Sequence, residues 1–168
     1  MAKINGIEIK ALKTFKDHEG CTIARGTIYL NGKKLGDWSQ DYMNGPDNYD
    51  FDERVCEDAV KRYGTSEFVD AKYKKFFDLD LLLYDLLGLI DDEKAYKKGA
   101  KQGFPTYVVA SDGFHTRGYY SPIENAEVVK KDRYHSDFLR QCEAKFFKDW
   151  NPNSTKIYTC LNDFIINV

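Results

Sequence analysis

The sequence predicts an α+β protein that opens with a three-stranded antiparallel meander. Strand-forming residues flank Asn31-Gly32, a dipeptide that tolerates the positive φ angles of a two-residue type I′ turn. A leucine-rich stretch over residues 79–90 is apolar on nearly every side, which is typical of a helix in a core. Residues that favour strands return from Phe104 onward. We therefore expect a meander over residues 1–50, and a helical and α+β remainder over residues 51–168 that packs as one compact unit.

The meander is predicted from hydrophobic alternation and from the turn residues between its strands. Its strands are expected at about 7–16, 21–30 and 33–40. Leu12 and Phe15 fall on opposite parities of the first strand, so one of them would point away from the core. We therefore predict a bulge near Ala11 or Leu12, which shifts the buried face by one residue.

The central hairpin has one apolar face and one mixed face in this prediction. A two-residue turn would pair Ile28 with Leu35 on one face. The other face would carry aromatic and basic side chains, namely Tyr29, Lys34, Trp38 and Arg25. It is either the ordinary solvated side of the sheet, with Trp38 under a later helix, or a binding surface, because interfaces are enriched in aromatic residues and arginine.

The middle of the chain is predicted to be helical. A first helix is expected at about 52–63, with Asp50 as its cap and Gly64 as its stop. Ser66 could cap a second helix that runs to Phe77. Gly88 and Asp91-Asp92 then suggest a break between the leucine cluster and a basic helix that ends near Gly103.

The C-terminal part alternates between strands and a helix. A hairpin is expected from residues 106–110 and 114–120, joined by Ser111-Asp112-Gly113. Residues 123–134 are ambiguous. Ser136 could cap a helix of about 137–149, and residues 157–160 and 164–166 have the composition of a closing strand.

The charges are segregated along the chain, although the net charge is only −2. Residues 37–92 contain fifteen acidic and six basic residues, whereas residues 1–36 contain seven basic and three acidic ones. Such blocks shape long-range fields and the choice of partner more than they shape folding. A pI of 5.9 argues against a dedicated DNA-binding domain.

Metal and cofactor sites are not indicated by the sequence. The carboxylates at positions 47, 50 and 52 lack the spacing of an EF-hand, and Met43 stands where an oxygen ligand belongs. The four cysteines form no Cys-x-x-Cys motif, so we interpret them as reduced cytosolic thiols of the core. We predict no metal and no cofactor.

Catalytic patterns are equally weak. His18 lies three residues from Cys21, and a nucleophilic pair there depends on geometry that spacing alone does not give. The acid-x-lysine spacing of some metal-dependent nucleases occurs three times, beginning at Glu8, Asp70 and Glu143, so it discriminates poorly. We therefore expect a protein that is not an enzyme. The absence of an apolar run of about 18 residues predicts no membrane span and a cytoplasmic location.

Part of the N-terminal third resembles small accessory proteins of phages and mobile elements of low-GC Gram-positive bacteria, which include inhibitors of type II CRISPR nucleases. The similar segments are Ile4–Lys10, Ala11–Lys16 and Tyr29–Gly36. The resemblance covers about the first 50 residues and brings no catalytic residue with it. What it implies is an anti-defence protein in the cytoplasm of a bacterial host.

Two functions follow as expectations. The first is a non-enzymatic inhibitor that mimics nucleic acid and binds a type II CRISPR nuclease or a similar nucleoprotein through an acidic surface. Its candidate residues are Asp47, Asp50, Asp52, Glu53, Glu57 and Asp58, with Trp38 and Tyr42 beside them. These carboxylates could also be an ordinary solvated loop and helix start.

The alternative is an RNA-binding or RNA-cleaving factor that acts on guide RNA through the basic N-terminal sheet. Its candidate residues are Lys10, Lys13, Lys16, Arg25, Lys33 and Lys34, close to Tyr29 and Trp38. A solvated lysine face would give the same pattern, and a plain interaction module of a mobile element remains a third possibility.

Overall fold

The structure is a computed structural model that describes residues 1–16, 20, 22–41, 45–112, 115–146 and 150–168. It confirms the α+β class, the N-terminal meander and the later hairpin. The strands are β1 Lys3–Ile4, β2 Ile7–Lys16, β3 Thr22–Leu30, β4 Lys33–Ser39, β5 Asn48–Tyr49, β6 Thr106–Ser111, β7 Thr116–Ser121, β8 Lys156–Tyr158 and β9 Ile165–Ile166. The helices are α1 Glu57–Thr65, α2 Leu79–Lys101, α3 Ala126–Lys131 and α4 Arg133–Lys145.

The chain divides into two compact units. The first contains Met1–Ile90 together with Ile165–Val168, and the second contains Asp91–Phe164. The first unit holds a sheet with the strand order β5-β4-β3-β2-β1-β9, in which only the β1–β9 pair is parallel. The second unit holds the antiparallel sheet β7-β6-β8.

The turn between β3 and β4 is the one that the sequence predicts. Asn31 and Gly32 have φ angles of 51° and 80°, as a turn with left-handed backbone at both central positions requires. The predicted bulge in β2 is also confirmed. The register shifts between Lys10 and Lys13, where Ala11 has a φ of 50° and, with Leu12, stands opposite a single residue of β3.

The predicted register of the β3–β4 hairpin is wrong beyond its first two pairs. Ile28 pairs with Gly36 rather than with Leu35, because Leu35 is an extra residue in a second bulge. This shift of one residue moves the side chains in the rest of β4 to the opposite face of the sheet. Trp38 therefore pairs with Gly26 and lies on the same face as Ile28, where it is only 2% exposed.

The first helix begins later than predicted. A 3₁₀ turn over Glu53–Cys56 comes first, its backbone capped by Asp52 rather than Asp50, and Gly64 lies inside α1. The predicted second helix is wrong, since only the 3₁₀ turn Lys74–Phe76 forms there. Instead of opening a new helix, the Ser66 hydroxyl donates a hydrogen bond to the Tyr63 carbonyl at 2.6 Å and so closes α1.

The predicted break in the leucine-rich helix is also wrong, because α2 runs without interruption for 23 residues. Gly88 lies within the helix, and the acidic pair that follows finds partners. The Asp91 carboxylate accepts a hydrogen bond from Lys94 at 2.8 Å, and Asp92 accepts one from Tyr158 at 2.8 Å. The predicted end is confirmed, since Gly103 follows α2 with a φ of 87°.

The second unit packs two helices against its sheet. Its core is formed by Val108, Ala110, Val129, Phe138 and Cys142. The ambiguous stretch contains α3, and the predicted helix at 137–149 begins earlier than expected. Its cap is the Asp132 side chain, which accepts from the Tyr134 amide at 2.7 Å, not Ser136. Residues 113–114 of the predicted hairpin and residues 147–149 of the predicted helix lie outside the described residues.

The two closing segments belong to different sheets. β8 pairs with β6 in the second unit, whereas β9 returns to the first unit and runs parallel to β1. In the part of the chain that the structure describes, no helix is both long and apolar enough to cross a membrane.

Candidate functional site

One face of the first sheet carries most of the predicted basic side chains. The strand register assigns its members, since residues paired directly across an antiparallel ladder share a face. We call it the outer face, and among the described residues of β2, β3 and β4 it comprises Glu8, Lys10, Lys13, Phe15, Ile23, Arg25, Thr27, Tyr29, Lys34, Asp37 and Ser39. The opposite, inner face carries Ile7, Ile9 and Ile28, which are buried. The outer face thus has four basic and two acidic side chains.

The β2 bulge creates this surface. If the same residues alternated regularly with no bulge, Lys13 and Phe15 would have the parity of Ile7 and Ile9 and would point into the core. With the bulge, Lys13 lies opposite Arg25 and joins Lys10 on the outer face. Gly26 permits the distortion, because a Cβ there would lie 2.6 Å from Ile9 Cγ2.

Two cations on the outer face contact aromatic rings. Lys10 Nζ lies 4.1 Å from the centre of the Tyr29 ring. The Arg25 guanidinium carbon lies 5.5 Å from the centre of the Phe15 ring. Both distances fall within the range of cation–π attraction. Lys10 is also 3.3 Å from the buried carboxylate of Glu8. Phe15 is 44% exposed, so its ring remains available to a partner.

Not all of the predicted basic residues join this surface. Lys16 pairs with Thr22 and Lys33 pairs with Leu30, so both have the parity of the inner face. Lys16 donates a hydrogen bond to the Thr22 hydroxyl at 2.7 Å. The prediction that Trp38 accompanies Tyr29 and Arg25 is wrong, because the second bulge moves its indole to the inner face.

An open groove of about 560 Å³ lies along the outer side of β2, β3, β4 and β5. One register row crosses all four strands, since Lys13 pairs with Arg25, Arg25 with Ser39, and Ser39 with Asn48. Neither Lys13 nor Arg25 forms an ion pair within the described part of the chain. Among the described residues, the row therefore has two cations without an ion pair at one end and neutral polar groups at the other.

The β4 side of the groove is acidic. Thr27 donates a hydrogen bond from Oγ1 to Asp37 Oδ1 at 2.7 Å, and Lys34 Nζ lies 3.9 Å from the same oxygen. Asp50 lies beside Asp37, accepts a hydrogen bond from its amide, and donates its own amide to the Asp37 carbonyl at 3.1 Å. Gly36 allows this approach, because a Cβ there would overlap Asp50 Oδ1.

The six acidic residues predicted to bind a partner have different environments. The first of them, Asp47, accepts a hydrogen bond from Trp38 Nε1 at 2.7 Å, and its amide donates to Asp80 at 3.1 Å. Burial raises the pKa of Asp47, and the neighbouring Asp80 carboxylate raises it further. Tyr49 completes this network with a hydrogen bond of 2.5 Å to Asp80. Asp47 and Asp50 thus hold the segment around β5 in place.

The remaining four lie at the start of α1. Asp52 is paired with Arg54 through Nε and Nη2, at 2.9 and 2.8 Å, and this hydrogen bonding lowers the pKa of the carboxyl. Glu53, Glu57 and Asp58 are exposed and form no ion pair within the described residues. Tyr42, which was predicted beside them, lies outside the described residues.

The candidates for catalysis and metal binding receive no additional support. His18 and Cys21 lie outside the described residues. Of the cysteines predicted to be core residues, Cys56 and Cys142 are buried, whereas Cys160 is exposed, which corrects that prediction. Burial raises the pKa of the Cys56 thiol to about 11, so this thiol is unreactive near neutral pH. Within the described ranges, no group of three or more His, Cys, Asp or Glu side chains could hold a metal ion.

Two of the three acid-x-lysine pairs, those that begin at Glu8 and Asp70, form local ion pairs. The Glu8 carboxylate is buried between Lys3 and Lys10, at 3.5 and 3.3 Å. Asp70 and Lys72 lie 3.8 Å apart, and both are exposed.

Comparisons with protein-family models, with curated proteins and with solved structures found no match for this chain.

Proposed function

We propose that this chain binds single-stranded RNA on the outer face of its N-terminal sheet. The observation that supports the proposal is the placement of Lys10, Lys13, Arg25 and Lys34 on one sheet face together with the exposed ring of Phe15. Proteins that bind single strands combine cations for the backbone phosphates with aromatic rings on which bases stack.

The parts of the outer face have separate roles in this proposal. Lys13 and Arg25 neutralise phosphates, because they are adjacent across β2 and β3 and have no competing carboxylate within the described residues. Phe15 stacks on a base, while Arg25 against its ring orients both groups. Binding of this kind depends on a local patch, so a net charge of −2 for the whole chain does not oppose it.

The test is fluorescence anisotropy with a labelled single-stranded RNA of about 12 nucleotides at several salt concentrations. The double variant Lys13→Glu with Arg25→Glu should lose two phosphate contacts. The slope of log affinity against log salt should then fall in magnitude by about 1.4. Phe15→Ala should weaken binding by about 1–3 kcal/mol through loss of stacking. Guide RNA of a type II CRISPR nuclease is the natural RNA to test first, given the resemblance of the N-terminal segments.

The matched control is Lys72→Glu with Lys75→Glu, which changes the net charge equally in the same unit but outside the sheet. This control should keep the affinity and the salt slope of the unaltered protein. Equal losses in both double variants would mean that total charge, not the outer face, governs binding. If the unaltered protein binds no RNA at low salt, the proposal is wrong.

The exposed carboxylates at the start of α1 favour a second candidate function. We propose for it a protein inhibitor, acting in the cytoplasm of a bacterial host, that places Glu53, Glu57 and Asp58 in a basic nucleic-acid channel of a type II CRISPR nuclease or a similar nucleoprotein. Their exposure and their lack of ion pairs within the described residues support this idea. Asp47, Asp50 and Asp52 contribute less, because each is engaged within the chain.

A DNA-cleavage assay with a purified nuclease and its guide RNA tests this candidate. The triple variant of Glu53, Glu57 and Asp58 to lysine should lose inhibition. A triple variant of the exposed residues Glu67, Glu124 and Glu143 to lysine has the same charge change and should retain it. Retained inhibition in the first variant would rule out the acidic surface.

A further inference from the structure

We infer that the groove on the outer face accepts a guanine nucleotide in preference to the other bases. This inference rests on the proposed RNA binding and identifies the base that it prefers. It follows from the polarity of the groove, which has cations on the β2–β3 side and the carboxylates of Asp37 and Asp50 on the β4–β5 side.

The spacing of these groups suits one nucleotide. Lys13 and Asp37 are two strands apart and also two residues apart along β3, because Lys13 pairs with Arg25 and Asp37 pairs with Thr27, so about 12 Å separates their backbones. A phosphate held by Lys13 and Arg25 would therefore leave its base near Asp37. The groove volume of about 560 Å³ lies within the range of small-ligand sites, so it suits one nucleotide rather than a length of strand.

Asp37 presents the acceptor geometry that guanine requires. The Thr27 hydroxyl fixes Asp37 Oδ1, and the second carboxylate oxygen has no partner within the described residues. Each carboxylate oxygen can accept two hydrogen bonds, and Lys34 Nζ at 3.9 Å is beyond hydrogen-bond distance of Oδ1, so Oδ1 can accept one more. Guanine offers two adjacent donors on its Watson–Crick edge, N1–H and the N2 amino group, and both can bond to one carboxylate.

The other bases fit this acceptor less well. Adenine and cytosine present an acceptor nitrogen next to their amino group, and a carboxylate repels that nitrogen. Uracil has a single N–H between two carbonyl oxygens, which are repelled in the same way. A bidentate pair discriminates between bases, so we expect guanine to be preferred by about tenfold, which corresponds to about 1.4 kcal/mol.

The remaining polar groups of the groove are consistent with the sugar and the neighbouring base. Ser39 and Asn48 continue the row of Lys13 and Arg25 toward the edge of the sheet and supply neutral donors and acceptors. Phe15 is paired with Ile23, two residues beyond the Lys13–Arg25 pair, where it can stack on the adjacent nucleotide.

The experiment compares oligouridine carrying one central guanine with the same oligomer carrying adenine, cytosine, uracil or hypoxanthine at that position. Anisotropy should show about tenfold tighter binding of the guanine oligomer. Hypoxanthine lacks the N2 amino group, so its oligomer should bind several-fold more weakly than the guanine oligomer. This arm requires no change in the protein and is independent of folding.

Asp37→Asn is the matching protein variant. An asparagine can still accept from the Thr27 hydroxyl, but an amino group replaces one of the two acceptor oxygens, so the guanine oligomer should lose its tenfold advantage over the other oligomers. Asp58→Asn, at an exposed carboxylate on α1, should keep the preference. Equal affinity for all bases in the unaltered protein would overturn the inference and leave RNA binding intact. Absence of binding to every oligomer would reject both proposals.

Discussion

At the scale of single residues, two glycines differ in how much space their surroundings leave for a side chain. Gly26 lies opposite the β2 bulge, and an added Cβ would lie 2.6 Å from Ile9 Cγ2 and 3.0 Å from the Lys10 carbonyl oxygen. Gly88 lies in α2, and an added Cβ would have no atom within 4 Å. The two positions therefore predict opposite responses to the same substitution.

Gly26→Ala should destabilise the first unit by about 1–3 kcal/mol, because overpacking forces the bulge and Ile9 apart. Gly88→Ala should stabilise the protein by about 0.5–1 kcal/mol, because alanine loses less backbone entropy in a helix. Urea unfolding followed by circular dichroism measures both changes. A neutral or stabilising Gly26→Ala variant would contradict the close approach of β2 and β3.

Conflicts of side-chain parity between single residues determine which bulges the sequence can predict. The parity conflict of Leu12 and Phe15 predicted the first bulge correctly. Leu35 and Trp38 conflict in the same way, since they are three residues apart on one strand, and Gly36 between them has no side chain to pack. This signal could have predicted the second bulge, and with it the burial of Trp38.

At the scale of elements, errors arose where the ends of helices depend on partners distant in sequence. α2 continues through Asp91 and Asp92 because the carboxylate of Asp92 is bonded to Tyr158, which lies 66 residues away. The predicted helix over residues 66–77 had suitable apolar spacing, yet the Ser66 side chain bonds backward to Tyr63. Local spacing gives the type of an element more reliably than its end.

The contact of α4 with β7 makes the stability of the second unit depend on pH. His135 is 5% exposed, its Nδ1 lies 3.1 Å from the Tyr119 hydroxyl, and burial lowers its pKa. The unfolded chain therefore takes up a proton at higher pH than the folded one. Stability should be fully present above the ordinary histidine pKa of 6.5 and should fall as the pH drops below it.

Denaturant unfolding of the protein at pH 7.5, 6 and 5 measures this effect. His135→Gln should remove most of the dependence between pH 7 and 5, because glutamine keeps a polar group toward Tyr119 without a titratable ring. His115→Gln, at an exposed histidine, should leave the dependence in place. An identical pH profile for His135→Gln and the unaltered protein would refute the assignment to this contact.

At the scale of the whole molecule, the fold class and the meander were predictable because they depend on alternation and turn residues close in sequence. The return of the C-terminal residues to the first unit was not predictable, because β9 and β1 pair across about 160 residues of sequence. The candidate site was predictable in part. Four of the six predicted basic residues share the outer face, but the face of each residue beyond a bulge depends on a register shift of one residue.

Asn5 connects the two ends of the first unit. Its φ is 47°, its side-chain amide donates to the Ala59 carbonyl at 2.9 Å, and its side-chain oxygen accepts from the Val168 amide at 2.8 Å. Its own amide donates to the Ile166 carbonyl at 2.8 Å. The residue is 4% exposed, and its hydrogen bond to the Ala59 carbonyl is buried.

Asn5→Ala should therefore speed hydrogen exchange in the peptides that contain β1, β2 and residues 165–168, because one buried and one partly buried hydrogen bond are lost and alanine tolerates positive φ poorly. The peptides of β6 and β8 should exchange as before, since they belong to the other unit. Exchange mass spectrometry gives all of these rates in one experiment. The exposed Asn162→Ala variant serves as the control. Faster exchange in β8 instead would contradict the division of the C-terminal segments between the units.

The left-handed residue Ala11 has a consequence for how this protein could change over generations. Loss of that one alanine from the chain would leave Leu12 alone opposite Gly26 and would keep Lys13 opposite Arg25. Both faces of β2 would retain their members, because only the extra residue would be removed. A three-nucleotide deletion at this codon could thus spread through a lineage without exchanging the two sides of the strand.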